Sequence, residues 1–470
     1  MLFSSMVFLF AFLPLVLFVY YAVLRKTTHR NYWLLAVSLC FYAWGEPVYV
    51  FLMLASIVGN YLMGLWMDQT HGHVRRQLVL LVAVVFNLGI LFYFKYYDFL
   101  IKNLNTFLGL NLAQRYQVLP IGISFFTFQA MSYVIDLYRK STPVQKNPFY
   151  LALYISFFPQ LIAGPIVRYN TIEQQINNRS VNLDSFETGI CRFLQGLGKK
   201  ILLSNVMAIT AEQVFGLAAQ RELTTATAWL GALAYTFQIY FDFSGYSDMA
   251  IGLGKMFGFE FEENFRHPYI SRSVSEFWNR WHISLGHWFR DYVYFPLGGS
   301  RVNRIKLIRN LGVVWLLTGI WHGAAWRFIV WGVLYGIIII LEKLTGFPKR
   351  TKNTAVVIGY SIFTFLVVVM GWVLFGSESL KSAIYQIATM FGIGAAGWWD
   401  ALSVYILGEY GIYFFLSALF STPIPGIVIG KLRKNTVYHV AKACVYMMLL
   451  LIAASYLLMD AHNPFIYFNF

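Results

Sequence analysis

Long apolar runs separated by short polar loops recur along the whole chain. Apolar runs approaching the ~20 residues that an α-helix needs to cross the hydrocarbon layer predict membrane spans. The candidate spans are residues 3–24, 32–45, 47–66, 77–97, 118–137, 148–166, 190–215, 226–257, 311–341, 354–375, 404–429 and 443–460. Because lipid cannot satisfy backbone polar groups, these segments predict helices, and the chain is expected to be an all-α polytopic membrane protein.

Several of these spans carry helix-breaking or charged residues. Glu46-Pro47 separates the second span from the third, Gly164-Pro165 closes the sixth, and Lys199-Lys200 lies inside the seventh. The segment 311–341 is too long for one straight span and contains three glycines. We therefore expect a broken or re-entrant helix there, since irregular backbone at membrane depth is tolerated where protein or a cavity surrounds it.

The stretch 258–309 combines aromatic and charged residues and does not fit a plain span. A charged side chain at the centre of a membrane helix costs about 2.5–3.5 kcal/mol on insertion scales. The stretch contains four charged residues, Glu276, Arg280, Arg290 and Asp291. They argue against a plain membrane span. The aromatic residues at 277, 278, 281, 288 and 289 predict an interfacial or re-entrant amphipathic helix.

Composition supports a single membrane domain over residues 1–470. Hydrophobic residues make up 58% of the 470 residues and charged residues 12%, about half the charged share of a soluble domain. The net charge of +15 is explained by basic loops facing the cytoplasm and anionic lipid, and no nucleic-acid-binding module is present to suggest that partner. The three cysteines show no metal-ligand or disulfide spacing.

The basic loops also predict an orientation. Loops at 25–30, 75–76, 139–146 and 431–434 would all be cytoplasmic. The N-terminal apolar run, which lacks a cleavage site, would stay as the first span, with the N-terminus outside. The last span then delivers the C-terminus to the outer side.

His322 lies near the middle of the long apolar segment 311–341. An ionisable side chain at such a position is a functional candidate, and a neutral imidazole is suited to act as a base. The adjacent Gly323-Ala324-Ala325 leaves room for a substrate. The alternative is a structural histidine hydrogen-bonded between two helices.

His282, Asn279 and Glu276 are spaced by three, which would place them near one face of a helix. Such a face could present polar groups to a cavity. A metal site is disfavoured because the mixed ligands match no standard set.

Asp242 and Asp248 are six residues apart, on different sides of a helix, so they do not form an acid–base pair. Asp242 with Tyr246, and Ser244 with Asp248, have the i,i+4 spacing of polar contacts between helices. A structural role is favoured for them, with lining of a cavity as the alternative.

The C-terminal tail 461–470 is aromatic at residues 465, 467, 468 and 470. An aromatic belt anchoring the chain end at the interface is the plain interpretation. The other interpretation is that the tail inserts into a groove of this protein or of a partner.

Three motifs resemble the membrane-bound O-acyltransferase family, closest to its bacterial alginate O-acetyltransferase-like branch. They are FDFSGYSDMAIG, FWNRWHISLGHWFRDYVYFPLGG and TGIWHGAAWRFIVWG, with SFFPQLIAGPIVRY also similar. The resemblance implies a ring of about 11 transmembrane helices with re-entrant segments around a central tunnel, and a catalytic core at about 226–341. By resemblance, His322 is the essential histidine and His282 the second polar position of the family.

The implied reaction is transfer of an acyl group, most simply acetyl, from a cytoplasmic thioester to a hydroxyl. His322 would be the base, and His282, with Asn279 or Trp281, would orient the acyl carbonyl. Tunnel or substrate-binding positions are expected at Asn279, Trp281, Trp321, Asp242 and Tyr246. No bound cofactor or metal is expected, and the donor would be acetyl-CoA or an acyl carrier protein.

The tail PFIYFNF resembles the C-terminal motif of the small companion protein of the teichoic-acid D-alanylation system. Tyr467 is therefore a candidate acyl relay to an extracytoplasmic SGNH-type acetyltransferase. The product would be an O-acetylated exported polysaccharide such as alginate, cellulose or peptidoglycan. The alternatives are a transporter or flippase in which His322 and carboxylates form a proton pathway, and a lipid acyltransferase.

Overall fold

The computed structural model describes residues 1–432 and 436–459. Within them the chain is helical and contains no strand, which confirms the all-α prediction. The chain divides into two compact units, Met1–Phe193 with Ser247–Glu262, and Leu194–Tyr246 with Glu263–Phe470. Two helices, Leu183–Gly198 and Thr225–Met256, have residues in both units.

Seven helices of the described part of the chain are long and apolar enough to cross a membrane. They are Tyr49–Gln69, His73–Leu108, Leu183–Gln220, Trp326–Thr345, Thr354–Gly376, Ala401–Phe420 and Tyr438–Leu458. The first apolar run forms a shorter helical stretch, Phe8–Val23. The long stretches His73–Leu108 and Leu183–Gln220 each include one π-helical turn.

The first unit packs its helices around a mainly aromatic and aliphatic core. Besides Leu183–Gly198, its helices are Phe8–Phe12, Leu13–Phe18, Val19–Val23, Thr27–Gly45, Tyr49–Gln69, His73–Leu91, Phe92–Tyr96, Tyr97–Leu108, Ile123–Tyr138, Pro148–Ser156, Phe158–Leu161 and Tyr169–Asn177. Arg179 cross-links distant segments of this unit, donating to the Asn31 side chain at 2.6 Å and to the Tyr20 hydroxyl at 3.0 Å.

The second unit contains both candidate histidines. Besides Thr225–Met256, its helices are Lys199–Ser204, Asn205–Gln220, Pro268–Ile270, Val274–Arg280, Ile283–Phe289, Arg290–Tyr294, Arg304–His322, Trp326–Thr345, Thr354–Gly376, Leu380–Met390, Ala401–Phe420, Ile424–Leu432 and Thr436–Leu458. Local sequence sets several helix starts. Asp400, for example, accepts a hydrogen bond from the Ser403 backbone N–H at 2.8 Å and begins Ala401–Phe420.

In three of the predicted spans the difference from the observed helices has a clear cause in the backbone or is a clear interruption. The span 118–137 begins only at Ile123, because Pro120 and the left-handed Gly122 precede the helix. The span 148–166 is helical to Ser156 and again over Phe158–Leu161. The span 404–429 is divided around Pro423, which cannot continue the helix that ends at Phe420.

Four of the five aromatic residues of the predicted interfacial or re-entrant segment are buried inside the protein, which contradicts the interfacial alternative. Phe277, Trp281, Trp288 and Phe289 are all at most 4% exposed. The segment forms two short helices, Val274–Arg280 and Ile283–Phe289. Their rings pack on other aromatic rings of the same unit, as Trp281 does on Trp372 with centroids 4.6 Å apart.

The segment 311–341 is broken as predicted and forms a helical hairpin, Arg304–His322 and Trp326–Thr345. Its two helices approach closely because glycines face each other. A Cβ added to Gly332 would lie 2.5 Å from the Trp315 carbonyl oxygen and 3.0 Å from the Gly319 Cα. These are backbone atoms, so they cannot rotate aside.

Gly332→Ala is therefore expected to destabilise the protein, by about 1–3 kcal/mol as for an overpacked core. Gly312→Ala is the matched control, because it lies in the same hairpin with nothing within 4 Å of its added Cβ. The midpoint of thermal unfolding in detergent measures both. A Gly332→Ala midpoint equal to that of Gly312→Ala would refute the close approach.

Candidate active site

His322 is the last residue of the first hairpin helix. Asn303 begins that helix by accepting a hydrogen bond from the Lys306 N–H at 2.9 Å. The chain is extended at Gly323 and Ala325 before the second helix begins. His322 thus lies at the turn of the hairpin, where the small residues 323–325 follow it, rather than within a continuous helix.

Aromatic rings surround the His322 imidazole, which is only 5% exposed. Trp331 and Phe375 both meet it edge to face, with ring centroids 5.0 and 5.2 Å away. Trp321 adds a third ring at 5.0 Å. These contacts fix the ring and limit the access of water to it.

His282 lies between two short helices and not on a helix face. The helix Val274–Arg280 ends before it, Trp281 is extended, and His282 itself is left-handed with φ of 45°. The prediction that His282 shares a helix face with Asn279 and Glu276 is therefore wrong. A backbone break of this kind cannot be read from a spacing of three residues.

Glu342 holds the helix that precedes His282. Its two carboxylate oxygens accept hydrogen bonds from the Val274 and Ser275 N–H groups, both at 2.8 Å, and Oε1 also accepts from the Tyr360 hydroxyl at 3.0 Å. Ser273 caps the same helix by accepting from the Glu276 N–H. Glu342 therefore links the second hairpin helix to the His282 segment.

Asn264 contacts the His282 imidazole directly and was not a predicted site residue. His282 Nδ1 lies 3.2 Å from the Asn264 Oδ1, and Ser284 approaches the same oxygen through its backbone N and its Oγ. All three residues are at most 2% exposed. Burial lowers the pKa of His282 to about 3, so its imidazole is neutral at pH 7.

Trp321 connects the two candidate histidines. Its indole centroid lies 6.1 Å from the His282 imidazole and 5.0 Å from that of His322. Trp321 is 4% exposed. The structure therefore brings both predicted histidines against one buried ring, although they are 40 residues apart in sequence.

A cavity of about 630 Å3 lies beside His282. Its lining includes the predicted residues Asn279, Trp281 and His282. Of the other predicted positions in the described chain, Trp321, His322, Asp242 and Tyr246 do not belong to the lining of this cavity. The volume is within the range of small-molecule sites, about 300–1,000 Å3.

Cationic side chains also line this cavity. Arg290, Lys343 and Lys349 stand among apolar residues such as Leu285 and Trp315. Such a lining is suited to a ligand with an apolar portion and anionic groups. Sequence reasoning missed these three residues, because nothing in the sequence joins residue 290 to residues 343–349.

Asp242 forms a buried ion pair and Tyr246 is buried on the same helix. The Lys200 Nζ lies 2.7 Å from the Asp242 Oδ1, and both side chains are at most 3% exposed. Asp248 pairs with Arg192, also at 2.7 Å. Each carboxylate therefore has a basic partner from another helix.

Tyr467 and the tail 461–470 lie outside the described residues. Among the residues that are described, no three histidine, cysteine, aspartate or glutamate side chains are grouped so that they could hold a metal ion.

The sequence of this chain matches a known protein family. Residues 86–380 match the model of the membrane-bound O-acyltransferase family. The match includes Asn264, His282, His322 and Glu342.

Several bacterial proteins are similar over most of the chain. A protein of Pseudomonas syringae pv. tomato named "Probable alginate O-acetylase" is 46% identical over 84% of this chain and 76% of its own length. A protein of the same name from Azotobacter vinelandii is 41% identical over 100% of both chains. The peptidoglycan O-acetyltransferase of Helicobacter pylori is 36% identical over 84% of this chain and 80% of its own length.

Proposed function

This chain belongs to the membrane-bound O-acyltransferase family and is a membrane acyltransferase, and from that premise we propose that it supplies acetyl groups for O-acetylation of an exported polysaccharide. The observation that carries the proposal is the contact of His322 and His282 with one indole, Trp321, beside the cavity that His282 lines. The names of its relatives favour alginate-like polymers or peptidoglycan, and cellulose is a third candidate.

The cavity beside His282 is suited to a thioester donor. Acetyl-CoA and an acetyl-loaded carrier protein share a phosphopantetheine arm that is partly apolar and ends in phosphate. Arg290, Lys343 and Lys349 would face these phosphates. Basic residues lie at the start of the first hairpin helix, at 301–309, and at the end of the second, at 343–352. They favour a cytoplasmic location for the end of the hairpin that carries Lys343 and Lys349.

We assign His322 as the base of the transfer. The imidazole accepts the proton of the attacking hydroxyl while the hydroxyl oxygen bonds to the thioester carbonyl carbon. The tetrahedral intermediate then collapses and the carbon–sulfur bond breaks. The leaving thiolate takes the proton from the imidazolium, which returns His322 to its neutral form. Enclosure by Trp331 and Phe375 would limit water as a competing nucleophile.

The acyl group would then reach the outer side of a bacterial inner membrane. Tyr467 in the aromatic tail is the proposed relay to an extracytoplasmic SGNH-type acetyltransferase. A phenol has an ordinary pKa near 10 and is a weak nucleophile unless a base assists it. The relay therefore requires a base, such as the His322 imidazole, close to the Tyr467 hydroxyl during transfer.

Tyr467→Phe is expected to abolish covalent labelling of the protein by radiolabelled acetyl-CoA or acetyl-loaded carrier protein. The label is counted on the denatured protein, and alkali is expected to release it as an ester. Tyr456→Phe is the matched control, since it removes a phenol from the final helix but leaves the tail intact. Equal labelling of Tyr467→Phe and wild type would rule out the relay.

A further inference from the structure

The side chain of Asn264 is a shared acceptor beneath His282. Its Oδ1 receives the Ser284 backbone N–H at 3.2 Å and the Ser284 hydroxyl at 3.0 Å. His282 Nδ1 lies 3.2 Å from the same atom. Asn264 is completely buried, so these contacts do not compete with solvent.

The backbone contact identifies which atom of the amide faces His282. A backbone N–H can only donate a hydrogen bond, so the amide atom opposite Ser284 N is the oxygen and not the nitrogen. An amide oxygen can only accept. Nδ1 of His282 must therefore carry the proton, and Nε2 of the neutral ring carries the lone pair.

The imidazole is also held against rotation. Its edge-to-face contact with Phe243 has a centroid distance of 4.5 Å, and the Ile283 N–H donates to the Asn264 carbonyl oxygen at 3.0 Å. A half-turn of the ring would put a carbon opposite the Asn264 oxygen and lose the hydrogen bond. Low basicity from burial keeps the ring from protonating on Nε2 as well.

We propose that Asn264 is a positioning residue that holds His282 in the tautomer protonated on Nδ1, so that Nε2 accepts a hydrogen bond from a ligand hydroxyl or N–H in the adjacent cavity. The ligand part of this inference rests on the proposed function. The thioester carbonyl is itself an acceptor, so this tautomer cannot orient it. The hydroxyl of the acyl acceptor, or an amide N–H of the donor's arm, is the group that fits.

Nitrogen NMR of the protein in lipid bilayers, with the histidine rings labelled with nitrogen-15, tests the tautomer without any acyl transfer. The His282 signals are identified by their loss in His282→Gln. We expect Nδ1 protonated and Nε2 unprotonated in wild type and in Asn264→Asp, because a carboxylate oxygen accepts the same bonds. A wild-type His282 protonated on Nε2 would overturn the inference.

The variants then separate positioning from folding. Asn264→Leu, which keeps the volume but has no acceptor, is expected to lose the Nδ1-protonated signal and to lower kcat by up to about 10⁴-fold, as when a histidine is held in the wrong tautomer. Asn264→Asp should retain substantially more activity than Asn264→Leu. Ser284→Ala removes only the hydroxyl donor to the Asn264 oxygen and is expected to keep the Nδ1-protonated signal, because the His282–Asn264 bond remains.

Two results of this series would count against the assignment. An Asn264→Leu protein that is folded and transfers acetyl at the wild-type rate would overturn it. So would Asn264→Asp and Asn264→Leu being equally impaired while both remain folded, because the acceptor oxygen would then be irrelevant. Absence of transfer by the wild-type protein would instead contradict the proposed function, since the NMR result is independent of turnover.

Discussion

His322→Gln is expected to lower the rate of acetyl transfer by about 10²- to 10⁴-fold, the usual contribution of a general base. Glutamine keeps a polar side chain at the hairpin turn but cannot take a proton from the attacking hydroxyl. The imidazole is packed by Trp321, Trp331 and Phe375. Because these rings remain, the midpoint of thermal unfolding should change much less than the rate.

The measurement is the initial rate of thiol release from acetyl-CoA by purified protein, with the unfolding midpoint determined on the same samples. Phe328→Leu is the matched control. Phe328 packs on Phe375 with a centroid distance of 5.0 Å, so its loss disturbs the same aromatic cluster without removing a titratable group. If the two variants lose activity in proportion to their loss of stability, His322 is a packing residue and the base assignment fails.

Lys200→Met is expected to destabilise the protein by about 3–5 kcal/mol, because it leaves the Asp242 carboxylate buried without its partner. The pair is 2.7 Å apart and both side chains are nearly fully buried. Lys200→Met/Asp242→Leu should recover most of that stability, since replacing both charges by apolar groups is often neutral. Equilibrium unfolding in detergent gives the free energy of unfolding of the wild type, of Lys200→Met and of the double variant.

The same variants decide between the two interpretations of Asp242. A structural carboxylate predicts that the double variant regains acetyl transfer together with stability. A substrate-binding carboxylate predicts a stable but inactive double variant. Arg192→Met is the control for burial, because its pair with Asp248 leaves the arginine side chain 30% exposed and should therefore cost less.

Apolar segment length and breaker residues predict most of the helices. The predicted span 354–375 corresponds to the helix Thr354–Gly376, because a helix this apolar has few alternatives in lipid. The break in 311–341 also followed from the sequence, through excess length and glycine content. The helix ends near Pro120 and Pro423 were not predicted, because the sequence stays apolar at the positions where the backbone leaves the helix.

The site could be predicted only in part, because it depends on contacts between residues that are distant in the sequence. His322 and His282 could be chosen from the sequence because histidines in apolar surroundings are costly and rare. Asn264 and Glu342 could not, since their roles depend on which backbone N–H or imidazole lies opposite them after folding. One indication for Glu342 is present in the sequence. It is a carboxylate at the end of an apolar helix, and a buried carboxylate needs hydrogen-bond donors.

The break at His282 shows why periodicity fails at such a site. The spacing of Glu276, Asn279 and His282 fits a helix, but the chain leaves the helix at Trp281 and His282 adopts a left-handed conformation. That conformation is uncommon for a residue with a side chain and is usually held by its surroundings. Here the bonds to Asn264 hold it.

Acetyl transfer by the purified chain in proteoliposomes is the direct test of histidine-dependent O-acyl transfer. A radiolabelled acetyl thioester, either acetyl-CoA or acetyl-loaded carrier protein, is supplied together with a polysaccharide acceptor. Label in alkali-labile ester linkage, on the protein or on the acceptor, is counted over time. We predict that wild-type protein converts thioester label into ester label and that His322→Gln does not. An intact thioester in the presence of folded wild-type protein, or equal ester formation by wild type and His322→Gln, would contradict a histidine-dependent O-acyl transfer.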